Sequence, residues 1–79
     1  MTMLDLIITW TLRKKKSTKE IVKNLSESME ELTISYPNVY RVLRKIESLG
    51  YIEGKWENNR KVYEITQKGK KLIEGIMKL

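Results

Sequence analysis

Arg41, Arg44 and Lys45 are the residues whose types and spacing best suggest chemistry in this chain. With Ser48 they fall on one face of a helix, opposite Val39, Val42, Leu43 and Ile46. A row of guanidinium and ammonium groups pairs with anionic oxygen, and a guanidinium also matches the O6 and N7 acceptors of guanine. A second polar cluster follows closely: Lys55, Asn58, Asn59, Arg60 and Lys61. On an arbitrary helix the first row is merely solvated. The tip of a hairpin is polar in most proteins, so Arg60 and Lys61 carry the weight of the second cluster. The two clusters gain meaning from standing next to each other.

Other chemistries are thinly supplied. The chain has no histidine and no cysteine. That removes disulfides, the preferred ligands of zinc, copper and haem, and the usual general base, and it suits a reducing compartment. Glu27, Glu30, Glu31 and Glu57 have no apolar surroundings that would turn two of them into an acid–base pair. Trp56 and Tyr63 could stack on single-stranded bases. Their shared strand parity with Ile52 and Ile65 assigns them to the core instead. No catalysis, no cofactor and no metal is expected.

Sixteen Lys plus Arg against ten Asp plus Glu give a formal charge of +6. Such a charge favours polyanions, either nucleic acid or an acidic membrane surface, although many small domains carry it for solubility alone. The apolar run from Met3 to Leu12 is broken by Asp5 and is about half the length that spans a bilayer. It has no basic flank or small-residue cleavage site of a secretory leader. A cytoplasmic protein without membrane contact is the expectation.

The elements that must position the cations are readable by period. The 79 residues form one domain, 1–79. Leu4, Ile7, Ile8, Thr11 and Leu12 predict a first helix near residues 2–14, with Arg13 to Lys16 in and beyond its last turn. Ser17-Thr18-Lys19-Glu20 has capping-box spacing and starts a second helix, whose buried face is Ile21, Val22, Leu25 and Met29 and whose end is Glu30-Glu31. Leu32-Thr33-Ile34 reads as a brief strand. A third helix opens at Ser35-Tyr36-Pro37 and stops at Gly50.

Tyr51 to Ile65 then alternates as a hairpin around Asn58-Asn59, pairing Ile52 with Ile65, Gly54 with Tyr63 and Trp56 with Lys61. Thr66 caps a last helix, Gln67 to Leu79, with Leu72, Ile73, Ile76 and Met77 as its stripe. The order is helix, helix, short strand, helix, hairpin, helix. This is an α+β, mostly helical winged helix-turn-helix, a module that touches DNA.

The segment Val39 to Ile52, then Trp56-Glu57, then Arg60 to Lys70 resembles the PadR-type winged-helix transcriptional regulators. In that family a tyrosine-bearing recognition helix ends in a Leu-Glu…Gly turn, and the wing closes with an aromatic residue, a Thr and a Gly. The first half departs from the pattern, because Ser17 to Ile21 lacks the Gly-Tyr pair that usually opens the second helix. The resemblance implies a double-stranded DNA regulator in a prokaryotic cell interior.

On that reading the third helix enters the major groove with Ser35, Tyr36 and Asn38 leading. Asn38 suits adenine and Arg41 suits guanine. Ser35 serves equally as a helix cap. The resemblance gives Tyr40 a phosphate contact, and Arg44, Lys45, Lys55, Asn58, Asn59, Arg60 and Lys61 complete the DNA-facing set. Met3, Leu6 and Trp10 form a second apolar stripe on the first helix. With Ile73, Met77 and Leu79 they predict a homodimer interface. The expected function is a dimeric, sequence-specific repressor. The alternative is a winged-helix interaction module of a transcription or RNA-processing assembly, with weak non-specific DNA binding.

Overall fold

The computed structural model describes residues 1–28 and 34–77. The elements are α1 (Met3–Thr11), β1 (Lys16–Ser17), α2 (Thr18–Ser28), α3 (Tyr36–Ser48), β2 (Ile52–Glu57), β3 (Arg60–Ile65) and α4 (Gln67–Met77). The winged helix-turn-helix is present, as the sequence predicts. Met29, Glu30-Glu31, Leu32-Thr33 and Leu79 lie outside the described residues.

Helix α1 begins at a capping box. Thr2 Oγ1 accepts from the Asp5 N–H at 3.2 Å, and Asp5 Oδ2 accepts from the Thr2 N–H at 3.0 Å. The helix ends at Thr11, earlier than its period predicts, and no basic residue falls in its last turn. The reason is the sheet: the Leu12 carbonyl accepts from the Ile65 N–H at 2.9 Å, so the chain leaves the helix to meet β3. Helix α2 has the predicted box, with Ser17 Oγ accepting from the Glu20 N–H at 3.3 Å and Glu20 Oε1 from the Ser17 N–H at 3.2 Å.

The sheet is antiparallel in the order β1-β3-β2. Its third strand is Lys16–Ser17, paired with Tyr63 and Val62. The brief strand expected at Leu32–Ile34 is not seen at Ile34, which has no strand geometry. The hairpin register is the predicted one, Ile52 to Ile65, Gly54 to Tyr63 and Trp56 to Lys61. Asn58 and Asn59 supply the turn at φ 49° and 65°, the left-handed pair that a two-residue hairpin loop requires.

One core joins the first three helices to the sheet: Ile8 from α1 and Leu12 just past its end, Ile21 and Leu25 from α2, Val39, Leu43 and Ile46 from α3, and Ile52, Tyr63 and Ile65 from the hairpin, with Ile73 of α4 packed against it. Tyr63 is buried there as expected, but Trp56 is exposed. Parity gives Trp56 the core-facing side of β2, yet the buried core stops at Ile52 and Tyr63 and does not extend to the indole among the described residues. Thr66 fastens the far end. Its Oγ1 donates to the Gly50 carbonyl at 2.6 Å and accepts from the Gly69 N–H at 3.2 Å, which caps α4.

Candidate nucleic-acid interface

Helix α3 is held from behind and open in front. Val39, Leu43 and Ile46 are buried, while Tyr36, Pro37, Asn38, Tyr40, Arg41 and Arg44 are exposed. Ser35 is the N-cap, its Oγ accepting from the Asn38 N–H at 3.5 Å, and Pro37 stands in the first turn, where its missing N–H costs nothing. Gly50 at φ 84° closes the helix. Pro37, Tyr40, Arg41 and Arg44 line a shallow cleft on the exposed face. Most of the helix residues that the sequence singles out therefore share one surface.

Lys45 is placed differently. Its Nζ lies 2.9 Å from Oδ2 of the buried Asp5, so this cation braces α3 against α1. The bare sequence gives two hints of this. Asp5 breaks an apolar run, and it stands three residues after Thr2 at capping-box spacing.

The hairpin carries Lys55, Asn58, Asn59 and Arg60 at its exposed end. Lys55 lies 3.5 Å from Glu53, and Arg60 lies 3.7 Å from Glu20, both in well-exposed pairs that contribute little to stability. Hydrogen bonds from the Ser17 backbone and hydroxyl lower the Glu20 pKa and keep that carboxylate charged. Lys61 is more enclosed. Its Nζ is 3.8 Å from Glu47 and 5.3 Å from the centre of the Tyr63 ring. Burial pushes the Tyr63 hydroxyl above its ordinary pKa.

Sequence reasoning misses Glu47, which ties the two halves of the surface together. Its Oε2 accepts from the Gly54 N–H at 2.9 Å, fastening the end of α3 to β2. The approach depends on glycine. A Cβ at Gly54 would meet Lys61 Cε at 2.6 Å, Tyr63 Cε1 at 2.9 Å and Glu47 Oε2 at 3.1 Å. A sequence signal existed, since Glu47 lies three and seven residues after Arg44 and Tyr40 and so shares their face. Near the hairpin tip, Glu57 accepts from Lys15 at 2.9 Å, which raises the Lys15 pKa.

The second surface is apolar. Met3, Leu6, Ile7 and Trp10 of α1 and Ile73 and Ile76 of α4 line one groove of about 360 Å³. Four of the six residues expected in a dimer interface thus lie together, with Ile7 and Ile76 added. The Arg13 guanidinium stacks on the Trp10 ring at 3.9 Å. Among the described residues no group of three or more acidic or sulfur ligands could hold a metal ion, and no helix is long and apolar enough to cross a membrane.

Residues 10–75 match the transcriptional regulator PadR-like family. Among solved structures, a PadR family transcription regulator from Clostridium difficile R20291 is 26% identical with a TM-score of 0.87, over 98% of this chain and 85% of that one. A PadR family regulator from Eggerthella lenta is 24% identical with a TM-score of 0.82, over 94% of this chain and 68% of that one. Bacillus subtilis PadR, crystallised with operator DNA, is 23% identical with a TM-score of 0.82, over 98% of this chain and 47% of that one. No curated protein matches.

Proposed function

This chain belongs to the PadR-like family of transcriptional regulators, and we propose that it is a dimeric repressor that reads a specific site in double-stranded DNA and performs no catalysis. The observation that carries the reading is the exposed face of α3. Asn38, Tyr40, Arg41 and Arg44 stand clear of a helix whose other side is rooted in the core.

Side chains on such a face reach base edges from the major groove, and Arg41 or Arg44 would form a bidentate pair with guanine. The hairpin, held to α3 through Glu47, would set Lys55, Asn58, Asn59 and Arg60 on the flanking backbone, where contacts fix register without reading sequence. Operator DNA in the Bacillus subtilis PadR crystal supports this reading. The groove between α1 and α4 would pack against a second copy and set the two α3 helices about 34 Å apart, one turn of DNA.

Selection of duplexes from a random pool, followed by affinity measurement across salt, tests the proposal. A preferred site bound ~10³-fold or more above random DNA, with a steep salt slope, is the expected result. Weak, sequence-blind binding would instead mark an interaction module.

A further inference from the structure

The duplex-binding reading leaves one exposed aromatic unexplained, and the inference drawn from it rests on that reading. Trp56 is 73% exposed, although its strand position belongs to the sheet face that carries Ile52 and Gly54. That face turns toward α3, since a Cβ at Gly54 would meet Glu47 Oε2 at 3.1 Å as well as Lys61 and Tyr63 of the same face. Two residues further along β2, Trp56 faces the same way and is exposed. Tyr40 and Arg44, on the helix face that Glu47 shares, are exposed on the α3 side.

One cation shares the face of the indole: Lys61 is its cross-strand partner, while Lys55 and Arg60 alternate onto the opposite face of the same narrow hairpin. The nearby Glu57 carboxylate is occupied by Lys15. An exposed apolar ring on a hairpin that carries cations on both faces complements a surface that alternates anionic oxygens with apolar carbons. The deoxyribose–phosphate backbone is such a surface.

We propose that Trp56 is a DNA-backbone contact. The indole packs on deoxyribose between the groove entered by α3 and the wing, and Nε1–H donates to a phosphate oxygen. Trp56 therefore adds affinity without reading sequence, and it adds no charge.

The test uses the whole chain with 5-fluorotryptophan at both tryptophans, and the Trp56→Phe spectrum assigns the two fluorine signals. A random-sequence duplex at low salt is the probe, with binding followed independently by anisotropy of labelled DNA. The expected result is a shifted Trp56 signal that loses its water–deuterium isotope effect on binding. Trp56→Ala should weaken binding about tenfold with an unchanged salt slope, and Trp56→Phe should weaken it less. Denaturant unfolding of both variants should match wild type, because the side chain is exposed.

If the duplex binds while Trp56 keeps its free-state signal and full water exposure, the inference is overturned, while the regulator reading is untouched because it rests on preference for a selected site. If no duplex binds at any salt, both fall. A Trp56 signal already shielded from water before DNA is added, and released by dilution, would assign the ring to self-association and also overturn the inference.

Discussion

Asp5 of α1 and Lys45 of α3 form an ion pair at 2.9 Å in which the carboxylate is buried and the ammonium is half exposed. Burial works against the charge of Asp5, but hydrogen bonds from Lys45 and from Thr2 outweigh it, and the pKa is lowered. A lowered folded-state pKa gives stability that is full above the unfolded value, near 4, and is lost as pH falls through the folded value. Asp5→Asn should therefore lose about 1–3 kcal/mol at neutral pH. It should also flatten the acid limb of the stability profile. Urea unfolding at neutral and acidic pH checks both, and parallel acid limbs in wild type and variant would count against the pair.

Arg41→Ala and Arg44→Ala should each weaken binding to the selected site by about 1–3 kcal/mol if the side chain holds a guanine. Both are exposed, so unfolding midpoints should stay near wild type. Competition between selected and random duplexes reads the effect as a loss of preference. Unchanged preference in both variants would take α3 out of the groove.

Lys55→Ala and Arg60→Ala should weaken all duplexes alike, and the salt slope should become shallower by ~1 for each phosphate that is no longer neutralised. Their partners Glu53 and Glu20 are themselves exposed, so these cations are free to exchange one anion for another. Lys61→Ala is a different experiment, because Lys61 lies against Glu47 and Tyr63 and its removal also loosens the hairpin. A double Lys55/Arg60 variant with the wild-type slope would show that the wing does not meet the backbone.

Much of this was legible from the sequence, for physical reasons that differ by element. Ser35 with Pro37 marks where α3 starts, because a cap and a ring-fixed φ act locally. The hairpin register follows from strict alternation, which a one-residue slip would invert. β1 was not legible, since two residues carry no period and Lys16–Ser17 becomes a strand only because β3 lies beside it. The role of Lys45 was hinted at only from the side of Asp5, for a related reason. Its partner Asp5 lies far away in sequence, and a cation on a polar face looks the same whether it is free or paired. Trp56 shows the limit of parity, which assigns a side of the sheet but not how far the core extends beneath it.

Trp10→Glu tests the proposed pairing of two copies. A carboxylate in the groove of Met3, Leu6, Ile7, Ile73 and Ile76 would be stranded in an apolar interface and should drive the protein to monomer. Operator affinity should fall with it, because two linked half-sites bind far more tightly than one. Sedimentation velocity is the direct check. A wild-type protein that is monomeric at high micromolar concentration would end the dimer proposal.

The pairing of Lys16 with Tyr63 and Ser17 with Val62 bears on how the chain comes to be folded. It joins a strand near the start of the chain to one near its end, and the Leu12 carbonyl likewise waits for the Ile65 N–H. On the ribosome, α1 and β1 emerge well before the strand that completes them. Helices α2 and α3 are close in sequence and can associate first. Closing the long loop from β1 to β3 costs chain entropy before any pairing compensates for it, so topology predicts that the sheet is completed after the helices associate.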